Sequence, residues 1–359
     1  MKREYIRTFL KENALDAFLF SSSPSVFYLS GFKSTNAYII ITQEKECFLT
    51  DSRYYEKAKQ ELQNWEVYLI KGNTFKFLKK FLKNLGIKTI GFEKDRVTVE
   101  FREKLRAKGI RLKGFSGVLT PLRIRKSSHE LAILKEGIKK TDLVYTKVLK
   151  RLKPGISELE LRGFIVEEIF KAGGLGESFP AIIATGENSA IPHWETSNTR
   201  IKNNAPLLID MGMLWKNYCT DFTRTIYLGK PSKEFQKYFE MVKTAWYLGF
   251  EKVKVGTPVE EIDKVIREYF YKKGVLDYFI HATGHGIGIE IHEPPRIFYQ
   301  VTGKNKNKFV IEEGMVFTIE PGLYFSGKFG IRLENMVLVE NGRGLVVSQI
   351  PLEIEIIEF

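Results

Sequence analysis

Five metal-type ligands stand in or beside apolar, strand-like segments in the second half of the chain. Three of them are carboxylates inside the otherwise apolar runs LLID, FTIE and IRLE. An unpaired charge in such a run would be strongly unfavourable unless a cation neutralised it. The fold must therefore bring these segments together around shared positive charge. The five residues are Asp210 in LLIDMG, Asp221 in CTDFTRT, His285 in GHGIG, Glu320 in FTIEPG and Glu334 in IRLENM.

The chemistry of this set indicates the kind of metal site. Four carboxylates and one imidazole provide ligands for two divalent ions. Oxygen-rich sites suit manganese and similar ions, whereas zinc prefers more nitrogen or sulfur. A single acid at a strand end is usually a turn or cap residue. Taken together, however, the residues predict a hydrolase with two metal ions.

The spacing of the acids predicts two hairpins. Asp210 and Asp221 lie eleven residues apart, with a turn at Gly212, and this is the spacing of two facing positions on an antiparallel pair. Glu320 and Glu334 are fourteen residues apart across a glycine-rich turn, so a second hairpin presents a second pair of carboxylates. Each pair is then expected to point into one pocket.

The histidines cluster in the same part of the chain. Four of the five, His193, His281, His285 and His292, lie near glycine, proline or a candidate ligand. His292 follows His285 by seven residues, an odd spacing that turns the two side chains to opposite faces of an alternating strand. A bulge at Gly286 or Gly288 would bring them to one face. His129 is expected to be an exposed helix residue.

The order of apolar patterns predicts two domains. Helix-like and strand-like stretches alternate through the first third, which is typical of an α/β layer domain that ends near residue 122. A polar break and a long amphipathic helix then open the second part. The next helix begins with Ser157 and Glu160 at the spacing of a capping box. Strand-like segments follow from residue 178, with two further helices between Glu234 and Lys273.

Composition excludes several classes of function. The net charge of +13 comes from basic residues that are spread along the chain and mixed with acids, so no nucleic-acid partner is expected. No apolar run reaches the roughly 18 residues of a membrane span. Cys47 and Cys219 are too few and too far apart for a disulfide framework or a thiolate site. The start, MKREYIRTFLKEN, places charges where a signal peptide needs an apolar centre, which favours the cytoplasm.

These motifs, in this order, resemble the pita-bread metallopeptidase family, which includes Xaa-Pro dipeptidase (prolidase), Xaa-Pro aminopeptidase and creatinase. YLSGFKSTNAYIIIT and LTDSRYYEKAKQE resemble the small domain of the proline-directed branch, and RIRKSSHELAIL resembles the joint that follows it. The resemblance implies a creatinase-like α/β N-terminal domain at 1–122 and an α+β pita-bread catalytic domain at 123–359. It also implies a homodimer.

The resemblance further implies a role for each site residue. Asp210 would bind one metal, His285 and Glu320 the other, and Asp221 and Glu334 would bridge them. The expected cofactors are two divalent ions, with Mn²⁺ ahead of Co²⁺ or Zn²⁺. Glu320 is the expected proton acceptor, and His193 and His292 would contact the substrate and the reaction intermediate. His281 would be a further polar neighbour.

The substrate is expected to be a peptide with proline after the scissile bond. An Xaa-Pro dipeptidase must grip the free carboxylate beyond proline, and Arg296 in HEPPRIF is the candidate for that contact. Arg332, two residues before Glu334, is expected on the same strand face, paired with a metal-binding carboxylate. Dipeptidase is favoured, Xaa-Pro aminopeptidase is the alternative, and a non-catalytic pita-bread binding protein is the remote one. The 297–314 segment is longer than in compact relatives and would form part of the pocket rim.

Overall fold

The structure is a computed structural model, and it describes residues 2–153, 155–299 and 309–358. The chain divides into two compact units, Met1–Leu122 and Arg123–Phe359. Pro154, which follows the amphipathic pattern of the long helix, and residues 300–308 of the 297–314 rim segment lie outside the described residues. Among the helices of the described ranges, none has the length and apolar character that a membrane span requires.

The first unit alternates helices with the strands of one mixed sheet. The strand order is β4-β3-β2-β1-β5-β6, and β1 pairs antiparallel with β2 but parallel with β5. Its elements, with the last helix reaching into the second unit, are α1 (Lys2–Glu12), β1 (Ala17–Phe20), α2 (Ser23–Ser30), β2 (Ala37–Thr42), β3 (Glu46–Thr50), α3 (Ser52–Glu61), β4 (Glu66–Leu69), α4 (Thr74–Asn84), β5 (Thr89–Glu93), α5 (Val99–Leu105), β6 (Arg111–Phe115) and α6 (Thr120–Arg123).

Local sequence accounts for most of these elements. All four residues of β1 are buried, as expected for a short apolar run at the centre of a sheet. Helix α4 begins at the Asn73 cap and buries Leu78 and Leu82 on one face. Helix α2 and strand β6 were not predicted. The α2 sequence lacks a clear apolar stripe, and the RLKGF of β6 does not alternate.

The second unit combines four helices of at least three turns with short strands. Its elements are α7 (Ser128–Leu149), α8 (Glu158–Lys171), β7 (Ile182–Thr185), β8 (Ala205–Met211), β9 (Leu214–Trp215), β10 (Tyr218–Cys219), β11 (Phe222–Leu228), α9 (Lys233–Phe250), α10 (Glu260–Lys272), β12 (Gly284–Gly286), β13 (Glu293–Ile297), β14 (Val316–Ile319), β15 (Gly322–Phe325), β16 (Phe329–Arg332), β17 (Asn335–Glu340), β18 (Arg343–Val346) and β19 (Ile356–Ile357).

Two sheets of this unit carry the predicted site. One has the order β19-β11-β8-β7, and the other has the order β13-β12-β14-β17-β18. Two small hairpins, β9-β10 and β15-β16, project between consecutive strands. The predicted capping box of α8 is present, with Ser157 and Glu160 bonded reciprocally, and His129 is exposed on α7 as expected.

Helices α9 and α10 cover the second sheet with an aromatic core. Phe235, Phe239, Trp246 and Phe270 are almost completely buried in a cluster that includes Phe317 of β14. The Trp246 indole donates a hydrogen bond of 2.9 Å to the Ile319 carbonyl, at the end of the same strand. This packing holds the carboxyl end of β14, which is where the chain reaches Glu320.

A buried ion cluster anchors the start of β13. The Glu293 carboxylate binds both the Arg123 guanidinium and the Lys126 ammonium, and all three side chains are at most 9% exposed. Burial opposes ionisation of Glu293, but the positive charges of Lys126 and Arg123 outweigh it and lower its pKa. The cluster connects the start of the second unit to the strand that follows His292.

Replacing Glu293 with alanine should destabilise the protein strongly. The buried Lys126 ammonium would lose its carboxylate partner, and Arg123 would lose one of its two, Glu290 being the other. Removing one partner of a buried ion pair typically costs about 3–5 kcal/mol. We expect that loss in the free energy of unfolding measured by urea denaturation. Glu312→Ala is the matched control, because the Arg125–Glu312 pair is about half exposed, at 57% and 49%, and such pairs contribute ~1 kcal/mol or less. Equal losses in the two variants would contradict the role given to burial.

Candidate metal centre

The first pair of acids comes from strands β8 and β11. Asp210 lies directly opposite Thr223 in the antiparallel register, and Asp221 immediately precedes β11. Since residues two apart on an extended chain share a face, Asp221 and Thr223 point the same way as Asp210. The predicted hairpin is therefore present, but the two acids are diagonal neighbours and not directly facing. The β9-β10 hairpin occupies the turn between them.

The second pair comes from strands β14 and β17. Ile319 pairs with Asn335, so Glu320 and Glu334 stand just beyond the end of this antiparallel pair. The β15-β16 hairpin fills the sequence between them. Glu334 also joins the two sheets, because its amide donates to the Thr223 carbonyl over 3.1 Å and its carboxylate accepts from the Thr223 hydroxyl at 2.7 Å. Thr223 was not predicted as a site residue.

His285 lies on β12, between two glycines that permit close backbone contacts. A Cβ on Gly284 would lie 2.0 Å from the Thr318 carbonyl oxygen, and one on Gly286 would lie 2.2 Å from the Pro294 carbonyl oxygen. No larger residue fits at either position. His285 Nδ1 lies 3.1 Å from the Gly286 carbonyl oxygen. A proton on Nδ1 would bond that carbonyl and leave Nε2 as the metal-binding nitrogen.

The five predicted ligands surround one small volume. His285 Nε2 lies 3.5 Å from an Asp221 oxygen and 3.6 Å from a Glu320 oxygen. Ligand atoms of Asp221, His285 and Glu334 all lie within 4.8 Å of one another. Asp210 Oδ1 is buried and has no hydrogen-bond partner among the described residues. Carboxylates this close, with one oxygen unpartnered, fit divalent cations held mainly by oxygen ligands.

Burial and mutual repulsion disturb the protonation of the metal-free site. Burial raises the pKa of Asp210 to about 6 and that of Glu320 to about 7, and it raises the pKa of Glu334 well above its usual range. Burial opposes protonation of His285, but its hydrogen bond to Asp221 and the Glu320 charge outweigh that effect and raise its pKa to about 9. Without a cation, the site therefore retains protons at neutral pH.

Arg332 contacts a candidate ligand, as expected, and extends a buried network. Its Nη2 donates to Asp210 Oδ2 at 2.6 Å, and its Nη1 donates to the Tyr324 hydroxyl at 2.8 Å. The Tyr324 hydroxyl lies 2.8 Å from His281 Nε2. Burial, together with the Arg332 charge, lowers the pKa of His281 to about 4. The neutral ring can then donate from Nδ1 to the Ala282 carbonyl, 2.7 Å away, and accept from Tyr324.

This network corrects one prediction and adds one residue. Arg332 ends β16, whereas Glu334 precedes β17, so the two residues do not share a strand. Arg332 reaches Asp210 from the β15-β16 hairpin instead. Tyr324 was missed because β15 is buried along its whole length, so alternation does not distinguish a functional side chain from a core one.

His292 meets His285, but not through the predicted continuous strand. Strand β12 ends at Gly286, and residues 287–292 bend before β13 begins. The pairing of β12 with β13 shifts register between His285 and Gly286, one of the two positions named for a bulge. The two imidazole rings lie edge to face, with centroids 4.4 Å apart.

All the predicted site residues line one cavity of about 1140 Å³. His193 is exposed on its wall, directly after Pro192. Arg296 is also exposed there, and its guanidinium lies 5.0 Å from the centre of the Phe298 ring. Apolar side chains form other parts of the wall, among them Phe179, Trp194 and Ile291. The cavity thus combines a cluster of acids, several imidazoles and an apolar surface.

Comparisons with known proteins cover almost the entire chain. The model of Metallopeptidase family M24 matches residues 132–341, and the Creatinase/Prolidase N-terminal domain matches residues 2–125. The chain is 34% identical to the Xaa-Pro dipeptidase of Pyrococcus furiosus, over 94% of this chain and 95% of that protein.

Solved structures give the same result for the whole architecture. The Xaa-Pro dipeptidase from Bacillus anthracis superimposes with a TM-score of 0.93, at 33% identity and 99% coverage of both chains. The X-Pro aminopeptidase from Thermotoga maritima superimposes with a TM-score of 0.89, at 31% identity, covering 99% of this chain and 100% of that one.

Metal binding should stabilise the protein more at pH 7.5 than at pH 5.5. The folded-state pKa values of Asp210, Glu320 and His285 are raised, so the metal-free protein loses stability as pH rises through them. A metal must displace these protons, so its affinity rises over the same range. At about a hundredfold excess over Kd, one site gains ~2.7 kcal/mol.

The measurement is the Tm with and without Mn²⁺ after treatment with a chelator. Asp221→Asn should abolish most of the metal-dependent gain, whereas Asp277→Asn, at an exposed position, should leave it unchanged. An equal gain at both pH values, or a full gain in Asp221→Asn, would show that the metal binds elsewhere.

Proposed function

Because the chain belongs to metallopeptidase family M24, with a creatinase/prolidase domain at its N-terminal end, we propose that it is an Xaa-Pro dipeptidase. The predicted fold class, an α/β N-terminal domain followed by an α+β pita-bread domain, is confirmed by these matches. We assign the first domain to 1–122 and the catalytic domain to 123–359. The chain is a metallopeptidase. Its substrate and the roles of its site residues are proposed below.

One observation supports the proposal most strongly. Four carboxylates and an imidazole from separate strands converge beside His193 and His292 in one cavity. This arrangement supports assigning Asp210, Asp221, His285, Glu320 and Glu334 as the metal ligands. A binding protein without activity, the remote alternative, would have no reason to retain such a costly group of buried acids.

The oxygen-rich ligands favour Mn²⁺ as the physiological metal, with Co²⁺ and Zn²⁺ as alternatives. Two divalent ions held by these five residues would supply Lewis acidity and lower the pKa of a bound water. A homodimer and a location in the cytoplasm stay predictions from the sequence.

Each nearby side chain then has a task in peptide hydrolysis. Glu320 is the proposed proton acceptor, because its carboxylate lines the cavity and lies 3.6 Å from His285 Nε2 at the centre of the ligand cluster. His193 and His292 stand on the cavity wall, where they can donate to the oxygen of the tetrahedral intermediate. The proton is finally passed to the departing proline nitrogen.

Proline determines how the substrate must be recognised. Its nitrogen carries no hydrogen in the peptide bond, so the enzyme must read shape and the ends of the peptide. Arg296 is the proposed contact for the free carboxylate of an Xaa-Pro dipeptide, because it is exposed on the cavity wall. Xaa-Pro aminopeptidase is the second candidate. It is supported by the similarity to the Thermotoga maritima X-Pro aminopeptidase and by a cavity of about 1140 Å³, which has room for a longer peptide.

The substrate assay compares peptides that differ by one residue. The protein is first treated with a chelator to remove metal and is then loaded with Mn²⁺, Co²⁺ or Zn²⁺. It should hydrolyse Ala-Pro rapidly and Ala-Pro-Ala slowly, with Mn²⁺ most effective. Ala-Ala serves as the control for proline dependence. Rapid cleavage of Ala-Pro-Ala without cleavage of Ala-Pro would show instead that the protein is an Xaa-Pro aminopeptidase. Cleavage of neither peptide with any metal would refute the proposed activity.

Arg296→Ala should weaken binding of the dipeptide selectively. A charge-assisted hydrogen bond contributes about 1.5–3 kcal/mol, which corresponds to an increase in KM for Ala-Pro of roughly tenfold to a hundredfold. The KM for a tripeptide should change little, since its carboxylate lies one residue further on. Arg343→Ala, at another exposed arginine, is the control. Equal effects on both peptides would mean that Arg296 does not read the dipeptide carboxylate.

A further inference from the structure

A second buried carboxylate, Glu158, lies outside the metal centre in the first turn of α8. It is completely buried. One of its oxygens accepts hydrogen bonds from the Thr185 amide and the Asn188 side-chain amide, each at 2.9 Å. The other accepts from the Trp194 indole at 2.9 Å and from the Ser197 amide and hydroxyl at 3.2 and 3.0 Å. A single side chain therefore organises the segment between β7 and β8.

These contacts lie on both sides of His193. Thr185 and Asn188 precede it, and Trp194 and Ser197 follow it. Two backbone hydrogen bonds join the same parts of the chain. The amides of Glu158 and Leu159, at the start of α8, donate to the carbonyls of Thr199 and Ser197. The segment that carries His193 contains only a short 3₁₀ helix, Gly186–Ala190. Its shape thus depends on the start of α8 more than on its own secondary structure.

The pattern of donors requires a carboxylate at this position. Both oxygens of Glu158 face N–H groups, so both must accept. A glutamine has the same shape, but it would turn an NH₂ group toward either the Thr185 and Asn188 donors or the Trp194 and Ser197 donors. One side of the network would then be lost, and a buried donor would be left without a partner.

We infer that Glu158 is a positioning residue that holds His193 at the cavity wall. The catalytic effect of this positioning rests on the proposed function, in which His193 donates a hydrogen bond to the reaction intermediate. The Trp194 indole is the direct connection, because Trp194 is the neighbour of His193 and its N–H is tied to Glu158. His193 itself stays exposed to the cavity and free to meet a substrate.

The kinetic test uses Glu158→Gln in the Mn²⁺-loaded enzyme. A misplaced catalytic group can cost on the order of a hundredfold in rate, so kcat should fall by about tenfold to a hundredfold with a smaller change in KM. In a His193→Ala background, Glu158→Gln should cause little further loss. Trp194→Phe, which keeps an aromatic ring but removes the N–H, should change kcat in the same direction and serves if Glu158→Gln does not fold.

Glu160→Gln is the matched control. Glu160 lies half a turn further along α8 and caps the helix through Ser157, but it does not bond residues 185–197. It should leave kcat unchanged. If the kcat losses of Glu158→Gln and His193→Ala multiply in the double variant, the two residues act independently. That result would overturn the inference, because Glu158 would then act on stability or on another group.

A measurement without turnover separates this inference from the proposed function. In NMR spectra of the metal-free protein, Glu158→Gln should shift or double the imidazole signal of His193, assigned from its loss in His193→Ala. The signal of exposed His129 should not move. If the wild-type enzyme cleaves no Xaa-Pro peptide but the His193 signal responds, the proposed activity fails and the positioning role stands. An unchanged His193 signal would overturn the positioning role whatever the activity.

Discussion

Four carboxylates that share one cavity with His285 are the constraint on which the catalytic unit depends. Asp210, Asp221 and Glu334 are buried, and Glu320 is nearly so. Among the described residues, one arginine, Arg332, and one imidazole, His285, form ion pairs with the cluster. That positive charge is insufficient for four ionised acids, so protons or metal ions must supply the remainder. The fold stays stable around such a group because its ligands are carried by strands whose other residues form the core.

The two sheets divide this task between them. Strands β8 and β11 supply one pair of acids, β14 and β17 the other, and Thr223 joins the two through Glu334. Asp221, Glu320 and Glu334 stand just beyond the ends of paired strands, whereas Asp210 lies within β8. All four side chains reach the cavity. The glycines of β12 then let a third chain segment approach closely enough for His285 to complete the group. The aromatic core under α9 and α10 fixes the end of β14 from the opposite side.

The sequence predicted the elements that carry a periodic or local signal. Asp210, Asp221, Glu320 and Glu334 interrupt or end apolar runs, and that interruption is visible without a structure. Helix α2, strand β6 and the break of the β12 strand after Gly286 were missed because their patterns are weak or because backbone contacts distant in sequence decide them. Thr223 and Tyr324 were missed for another reason. Each is buried in a strand that is buried on both faces. The polar partner of Thr223, Glu334, lies 111 residues away, and those of Tyr324 are Arg332 on the facing strand of its hairpin and the distant His281.

The buried acids of the second unit have two different roles. One group forms the candidate metal centre, and the other holds the chain segments beside it in place. Those of the candidate metal centre repel one another and attract positive charge, whereas Glu158 is stabilised by hydrogen-bond donors and Glu293 by two cations. Glu293 anchors the strand that follows His292, and Glu158 gathers the segment on both sides of His193. The two histidines proposed to contact the intermediate thus lie in irregular segments. Each segment is held by a buried acid, through the hydrogen bonds of Glu158 or the ion pairs of Glu293. An irregular segment can present an imidazole to substrate without an ordering cost at each turnover only if such internal contacts already hold it.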